Sequence, residues 1–213
     1  MKTLRVSADG APDPEILREG IEVLSRGGVL LYPTDTVYAL GCDPRLSAAL
    51  RAMFRLKQRP FSRKVPFVAA DVAQVGLLAR MGGKAARDLA QRFWPGPLTL
   101  VLPLEEDTPL SKTWDWGPSI ALRVPASGLA RALASGLGVP LPATSANLSG
   151  EPAVSHLTEL NPAFLQRIDL VLDAGPLPEL PPSTIVDLAG AKPRILREGA
   201  IPSQALEAYL SPS

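Results

Sequence analysis

Cysteine and histidine are almost missing from this chain of 213 residues, which has one of each, Cys42 and His156. A single cysteine excludes an intramolecular disulfide framework and a cysteine-built zinc site. A single histidine argues against a His-ligated metal centre and a His-based catalytic triad. No run approaches the roughly 18 apolar residues of a membrane span. The opening MKTLRVSADG has no apolar signal region, so a soluble, cytoplasmic protein without membrane contact is expected. An excess of one charge is also lacking. Lys+Arg number 22 and Asp+Glu 21, a formal net charge of +1. That excludes a protein that coats nucleic acid over its whole surface. Neither GxxxxGK[ST] nor GxGxxG occurs, so a nucleotide site here cannot rest on either glycine loop.

What is present is an ordinary globular composition, 46% hydrophobic and 20% charged. The length suits a single domain spanning 1–213 with an ample core. Proline is the anomaly. The chain has 23, about twice the usual ~5%, scattered from Pro12 to Pro212 without a repeat. Apolar periodicity and capping signals predict helices over 14–26, 47–57, 71–81, 84–93, 127–137, 155–167 and 203–210. Strands are predicted at 29–32, 65–69, 98–104, 119–124, 140–144, 169–173, 183–188 and 194–198. Strands interleaved with helices give an α/β (α+β) protein with a mixed sheet. The Pro-rich stretch 174–183 lies between two strands and reads as a surface loop. FWPGPLT (93–99) reads as a rigid structural turn.

The charge is not evenly spread. Arg45, Arg51, Arg55, Lys57, Arg59, Arg63 and Lys64 fall between 45 and 64 with no acidic residue among them. Arg51 and Arg55 share a helical face and read as its solvated side. Lys57 and Arg59 sit where the helix should end, ahead of Pro60. There the chain can turn them toward a common anion, and guanidinium and ammonium groups suit phosphate oxygens. Short polar segments close several apolar strands: YPTDTVYALG (32–41), ATSANLSG (143–150) and STIVD (183–187). Small hydroxyl and amide residues at strand ends are how α/β proteins hold polar ligands. Ser145, Asn147 and Ser149 are the densest such group.

These blocks, in this order, resemble the YrdC-domain family of threonylcarbamoyl-AMP synthases. The resemblance rests on YPTDTVYALGCD, LKQRP, FWPGPLTLVLP, SIALRVP, SANLSGEPA and PSTIVDL…RILREG. It covers about 15–200. The family's paired KxR and SxN patterns are Lys57-Gln58-Arg59 and Ser145-Ala146-Asn147. The resemblance implies a single open, twisted mixed sheet with flanking helices around a large basic cavity. It implies ATP, bicarbonate and L-threonine as substrates, with threonylcarbamoyl-AMP and pyrophosphate as products. Partner proteins would then transfer the threonylcarbamoyl group to adenosine 37 of tRNA. Mg2+ is implied on the ATP, held mainly by substrate and water, with no protein metal site.

By motif, Thr36, Arg123, Ala143 and Ser183 would contact threonine, Arg123 through the carboxylate and Ala143 through its backbone. Lys57 and Arg59 would bind ATP phosphates. Ser119, Ser145, Asn147, Ala153 and Arg197 would line the nucleotide side. Lys57, Arg59, Ser145 and Asn147 would carry the chemistry. Many members have an Asn and then a His after KxRP. Here Arg63 or Lys64 stands near the Asn position and Val68 or Ala69 near the His. Ala39 and Cys42 lean toward the YciO-like branch, so the alternative is a YciO-like protein that binds RNA or nucleotide with little synthase activity. Three further residues or segments have plainer readings. Cys42 is a small buried hydrophobe, and His156 opens a helix at the surface. The Trp114/Trp116 loop is either a mobile flap or loop packing.

Overall fold

The computed structural model describes residues 2–7, 12–110, 113–148 and 154–210. Its strands are β1 (Lys2–Arg5), β2 (Leu30–Pro33), β3 (Tyr38–Gly41), β4 (Phe67–Val68), β5 (Leu98–Pro103), β6 (Ser119–Arg123), β7 (Leu141–Pro142), β8 (Thr144–Ser145), β9 (Leu170–Asp173), β10 (Thr184–Asp187) and β11 (Arg194–Arg197). Its α-helices are α1 (Pro14–Ser25), α2 (Ser47–Leu56), α3 (Val72–Val75), α4 (Lys84–Phe93), α5 (Gly128–Leu137), α6 (Pro162–Leu165) and α7 (Glu207–Leu210).

The mixed, open α/β class holds, but hydrogen bonding divides the strands into two sheets rather than one. One sheet runs β1-β9-β2-β3-β8 and the other β11-β10-β5-β6-β4-β7. The predicted strand 140–144 explains the division. Its first half, β7, is an edge of the larger sheet, and its second half, β8, is an edge of the smaller. Ala143 is the step between them, and its N–H donates to the Pro66 carbonyl at 2.8 Å. A proline on each side of β7's Leu141 removes ladder donors there, so the segment is confined to sheet edges.

The strands β9, β2 and β3 of the smaller sheet are buried on both faces, and alternation along them divides their apolar side chains between two cores. Leu31, Tyr38, Leu40 and Val171 join a large cluster with α2 and the larger sheet. Leu30, Tyr32, Ala39, Leu170 and Leu172 join a second cluster. That cluster also holds Leu24 of α1 and Leu129, Leu133 and Leu137 of α5. Each buried leucine contributes roughly 1.5–3 kcal/mol.

Three expectations change. The helix expected over 71–81 stops after Val75, because the N–H groups of Leu77 and Leu78 reach back only three residues. The helix over 155–167 is a 3-10 turn, Leu157–Glu159, and then α6, divided by the Asn161 cap and Pro162. The helix over 203–210 splits likewise into a 3-10 turn and α7. Strands β1 and β3 have no counterpart among the predicted strands; β3 lies inside the polar block YPTDTVYALG.

Candidate active site

The KxR segment is built by the end of α2. Gln58 adopts φ +50, the left-handed conformation that ends helices. Gln58 N–H donates to Arg55 O at 3.1 Å and Arg59 N–H to Phe54 O at 3.0 Å, the two bonds of a Schellman motif. The reversal sends the flanking side chains to different places. Arg51 and Arg55 are exposed, as expected. Lys57 is 2% exposed. Its ammonium donates to the carbonyl oxygens of Ser145 and Asn147 and to Asn147 Oδ1. All three of its protons are thereby assigned. Arg59 instead donates to the Lys64 carbonyl at 2.6 Å, and Lys64 Nζ donates to Ser119 O at 2.9 Å. Lys57 and Arg59 still feel one another. Burial, and then the Arg59 charge, lowers the Lys57 pKa from 10.5 to about 8. Burial and Arg63 lower that of Arg59.

SxN lies where β8 leaves the smaller sheet, with Ser145 opposite Ala39. Ser145 Oγ donates to Asn147 Oδ1, and Asn147 Nδ2 donates to Leu148 O at 3.0 Å. KxR and SxN, about ninety positions apart, are therefore one hydrogen-bonded unit around the Lys57 ammonium.

A second group forms on the larger sheet. Ile185 stands opposite Arg197 on one side and Thr99 on the other. Leu100 faces Leu122, which sets Thr99 level with Arg123. Residues level across a sheet share a face, so Arg197, Thr99 and Arg123 stand together. Ser183 Oγ lies 2.8 Å from Thr99 Oγ1, and Arg197 donates to Ser183 O at 2.8 and 3.1 Å. Arg123 is buried. Its Nε donates to Gly96 O at 2.8 Å, Nη1 to Thr36 Oγ1 at 3.2 Å and Nη2 to Asp35 Oδ2 at 2.6 Å. Burial lowers the Arg123 pKa against the opposing pull of Asp35. Burial and the nearby Arg123 charge lower that of Arg197.

The FWPGPLT turn thus has a positioning role besides its structural one. A Cβ at Gly96 would clash with Phe93 O, so only glycine lets the chain bend there and present its carbonyl to Arg123.

Sequence reasoning does not single out Asp35, Thr99, Gly96 or Lys64 as partners of these groups. Asp35 is visible inside YPTDTVYALG, but its pairing with Arg123, 88 positions away, has no local signal. Ala153 and Ser149 lie outside the described residues. Trp114 stacks on Phe54 at 5.4 Å, and Trp116 meets Phe67 edge-on at 5.1 Å, which is loop packing rather than a flap. A cleft of about 790 Å3 runs beside them, lined by Trp114, Trp116, Arg80 and Glu105, and neither Lys57 nor Arg123 lines it. Cys42 is buried against Met53, its thiol pKa pushed up by burial and Asp43. His156 caps the 3-10 turn.

Among the described residues no three His, Cys, Asp or Glu side chains gather as metal ligands, and no helix is long and apolar enough to cross a membrane.

With this geometry in hand, comparison with known proteins is specific. The Sua5_yciO_yrdC family model, described as "Telomere recombination", matches residues 22–199. A threonylcarbamoyl-AMP synthase of Bacillus subtilis is 33% identical over all of this chain and 62% of its own length. One from Xanthomonas campestris pv. campestris is 40% identical over 76% of this chain and 87% of its own. The crystal structure of Pyrococcus abyssi Sua5 complexed with L-threonine superposes with a TM-score of 0.86 at 31% identity, covering 98% of this chain and 60% of that one. Escherichia coli YciO gives 0.79 at 27% identity, covering 93% and 94%. The chain thus spans about three fifths of the Bacillus and Pyrococcus proteins and nearly all of the Xanthomonas and YciO ones.

Proposed function

The chain belongs to the Sua5/YciO/YrdC family, and on that premise we propose that it is an L-threonylcarbamoyladenylate synthase, a nucleotidyltransferase that makes threonylcarbamoyl-AMP from ATP, bicarbonate and L-threonine. The observation that carries the reading is the pairing of two cationic groups with different surroundings. Arg123 is a buried fork beside a threonine hydroxyl and a carboxylate, suited to an amino-acid carboxylate. Arg59 and Arg197 are cations without a carboxylate ion-pair partner among the described residues, suited to phosphate.

In this reading the neutral amine of threonine, held by Arg123, Thr36 and Ser183, condenses with bicarbonate to a carbamate, and the amine proton leaves with the bicarbonate hydroxyl as water. The carbamate oxygen attacks the ATP α-phosphorus in line, and pyrophosphate leaves. Arg59 and Arg197 face the developing phosphate charge, with Lys57, Ser145 and Asn147 fixing the loop beside it. Mg2+ rides on the nucleotide phosphates and water. The product passes to proteins that place threonylcarbamoyl on adenosine 37 of tRNA in the cytoplasm.

Rescue of a cell that has lost its own threonylcarbamoyl-AMP synthase tests this. The intact gene should restore the tRNA modification, and an Arg59→Ala, Ser145→Ala version should not. A second reading, a YciO-like RNA or nucleotide binder, is favoured by the full occupation of the Lys57 ammonium. It predicts no rescue and an RNA affinity that falls steeply with salt.

A further inference from the structure

We propose that Asp35 is a positioning residue for substrate recognition: it turns the Arg123 guanidinium so that one N–H on each terminal nitrogen is left for an amino-acid carboxylate. The inference rests on the synthase reading above and names how that site selects its amino acid's carboxylate.

A guanidinium has five N–H donors in a fixed plane. At Arg123 three are engaged, by Gly96 O, Thr36 Oγ1 and Asp35 Oδ2. One donor remains on Nη1 and one on Nη2, one for each oxygen of a carboxylate. The three engaged groups come from separate contacts around the plane, so it is fixed on three sides. Asp35 is the only charged one. Its Oδ2 also accepts from Ala126 N–H at 3.1 Å, and its Oδ1 is buried with no partner among the described residues. The carboxylate is therefore committed to Arg123 and to the loop that enters α5. The turn that carries it is fixed in its own right. Thr34 Oγ1 donates to Val37 O at 2.7 Å and accepts from Thr36 and Val37 N–H.

Asp35 also sets selectivity. Arg123 and Arg197 share a sheet face, and the Arg123 charge depresses the proton affinity of Arg197. Two guanidiniums with no counter-charge attract phosphate as readily as carboxylate. One carboxylate on Arg123 alone makes the two unequal, leaving Arg197 the stronger phosphate ligand.

The test is steady-state kinetics of pyrophosphate release by Asp35→Asn and Asp35→Glu, with melting temperatures and calorimetric L-threonine binding alongside. For Asp35→Asn the threonine KM should rise about tenfold or more, kcat should stay within about threefold, and the ATP KM should hold. Inorganic pyrophosphate should become a better competitor against threonine. Asp35→Glu keeps the charge but displaces it, and should fall between the two. It gives the same reading if Asp35→Asn does not fold. A threonine KM that does not move, or threonine and ATP KM values rising together with a falling melting temperature, would overturn the proposal. If the intact protein releases no pyrophosphate with threonine, the synthase reading fails. Calorimetry then still decides for Asp35, because weaker L-threonine binding by Asp35→Asn than by the intact protein upholds it, and equal or absent binding by both overturns it.

Discussion

The Lys57 ammonium lies 2.9 Å from the main-chain oxygen of Asn147 and 3.1 Å from that residue's side-chain oxygen. A cation at the end of α2 thereby closes the loop that follows β8. The two motifs are one structural unit, and this has consequences for both stability and activity.

Replacing Lys57 by methionine sets two terms of similar size against each other. The fall of its pKa from 10.5 to about 8 means that burying the charge costs about 3 kcal/mol. Removing it takes a donor from three oxygens, but Ser145 O keeps the Asn147 N–H at 3.0 Å and Asn147 Oδ1 keeps Ser145 Oγ, so the loss falls chiefly on Asn147 O, at roughly 1–3 kcal/mol. Stability should therefore move by no more than about 2 kcal/mol in chemical denaturation. Pyrophosphate release should fall about a hundredfold or more, because the SxN loop loses its anchor beside the phosphates. A large loss of stability with activity per folded molecule intact would contradict the assignment.

The same lysine makes binding pH-dependent. Its folded pKa, about 8, is below its ordinary value of 10.5, so between these two pH values the unfolded chain holds the extra proton. Stability from this group rises with pH across that window. A bound polyphosphate acts in the opposite sense, favouring the charged ammonium. On nucleotide binding Lys57 should thus take up a proton near pH ~8–9 and none near pH ~6. Calorimetry in buffers of different ionisation enthalpy reads this directly, and Lys57→Met should abolish the uptake.

Trp114 is placed for packing. It stacks on Phe54 at 5.4 Å and meets Phe61 at 5.5 Å. Trp114→Ala should lower stability by about 2 kcal/mol and leave the threonine and ATP KM values unchanged. A KM shift without a stability loss would make the loop a flap after all.

Much of this is legible in the sequence, for physical reasons. Lys57 and Arg59 stand out because the helix has to end before Pro60, and the expected exposure of Arg51 and Arg55 on the preceding turns is what α2 displays. What the sequence hides is non-local. Neither the bond from Arg123 to Asp35 nor the row Arg197, Thr99, Arg123 has a local period, since each depends on which strands pair. The split of 140–144 between two sheets is invisible for the same reason. Its apolar pattern is that of one strand, and only the competition between two sheet edges divides it. The expectation of an unbroken helix over 155–167 fails more simply, because Asn161-Pro162 is a helix start within the stretch.

The most direct measurement is product formation by the purified protein. Given ATP, bicarbonate and L-threonine, it should yield threonylcarbamoyl-AMP and pyrophosphate in equal amounts, with neither formed when any one of the three is withheld. Pyrophosphate release that ignores threonine, or nucleotide binding with no threonylcarbamoyl-AMP at all, would contradict the account.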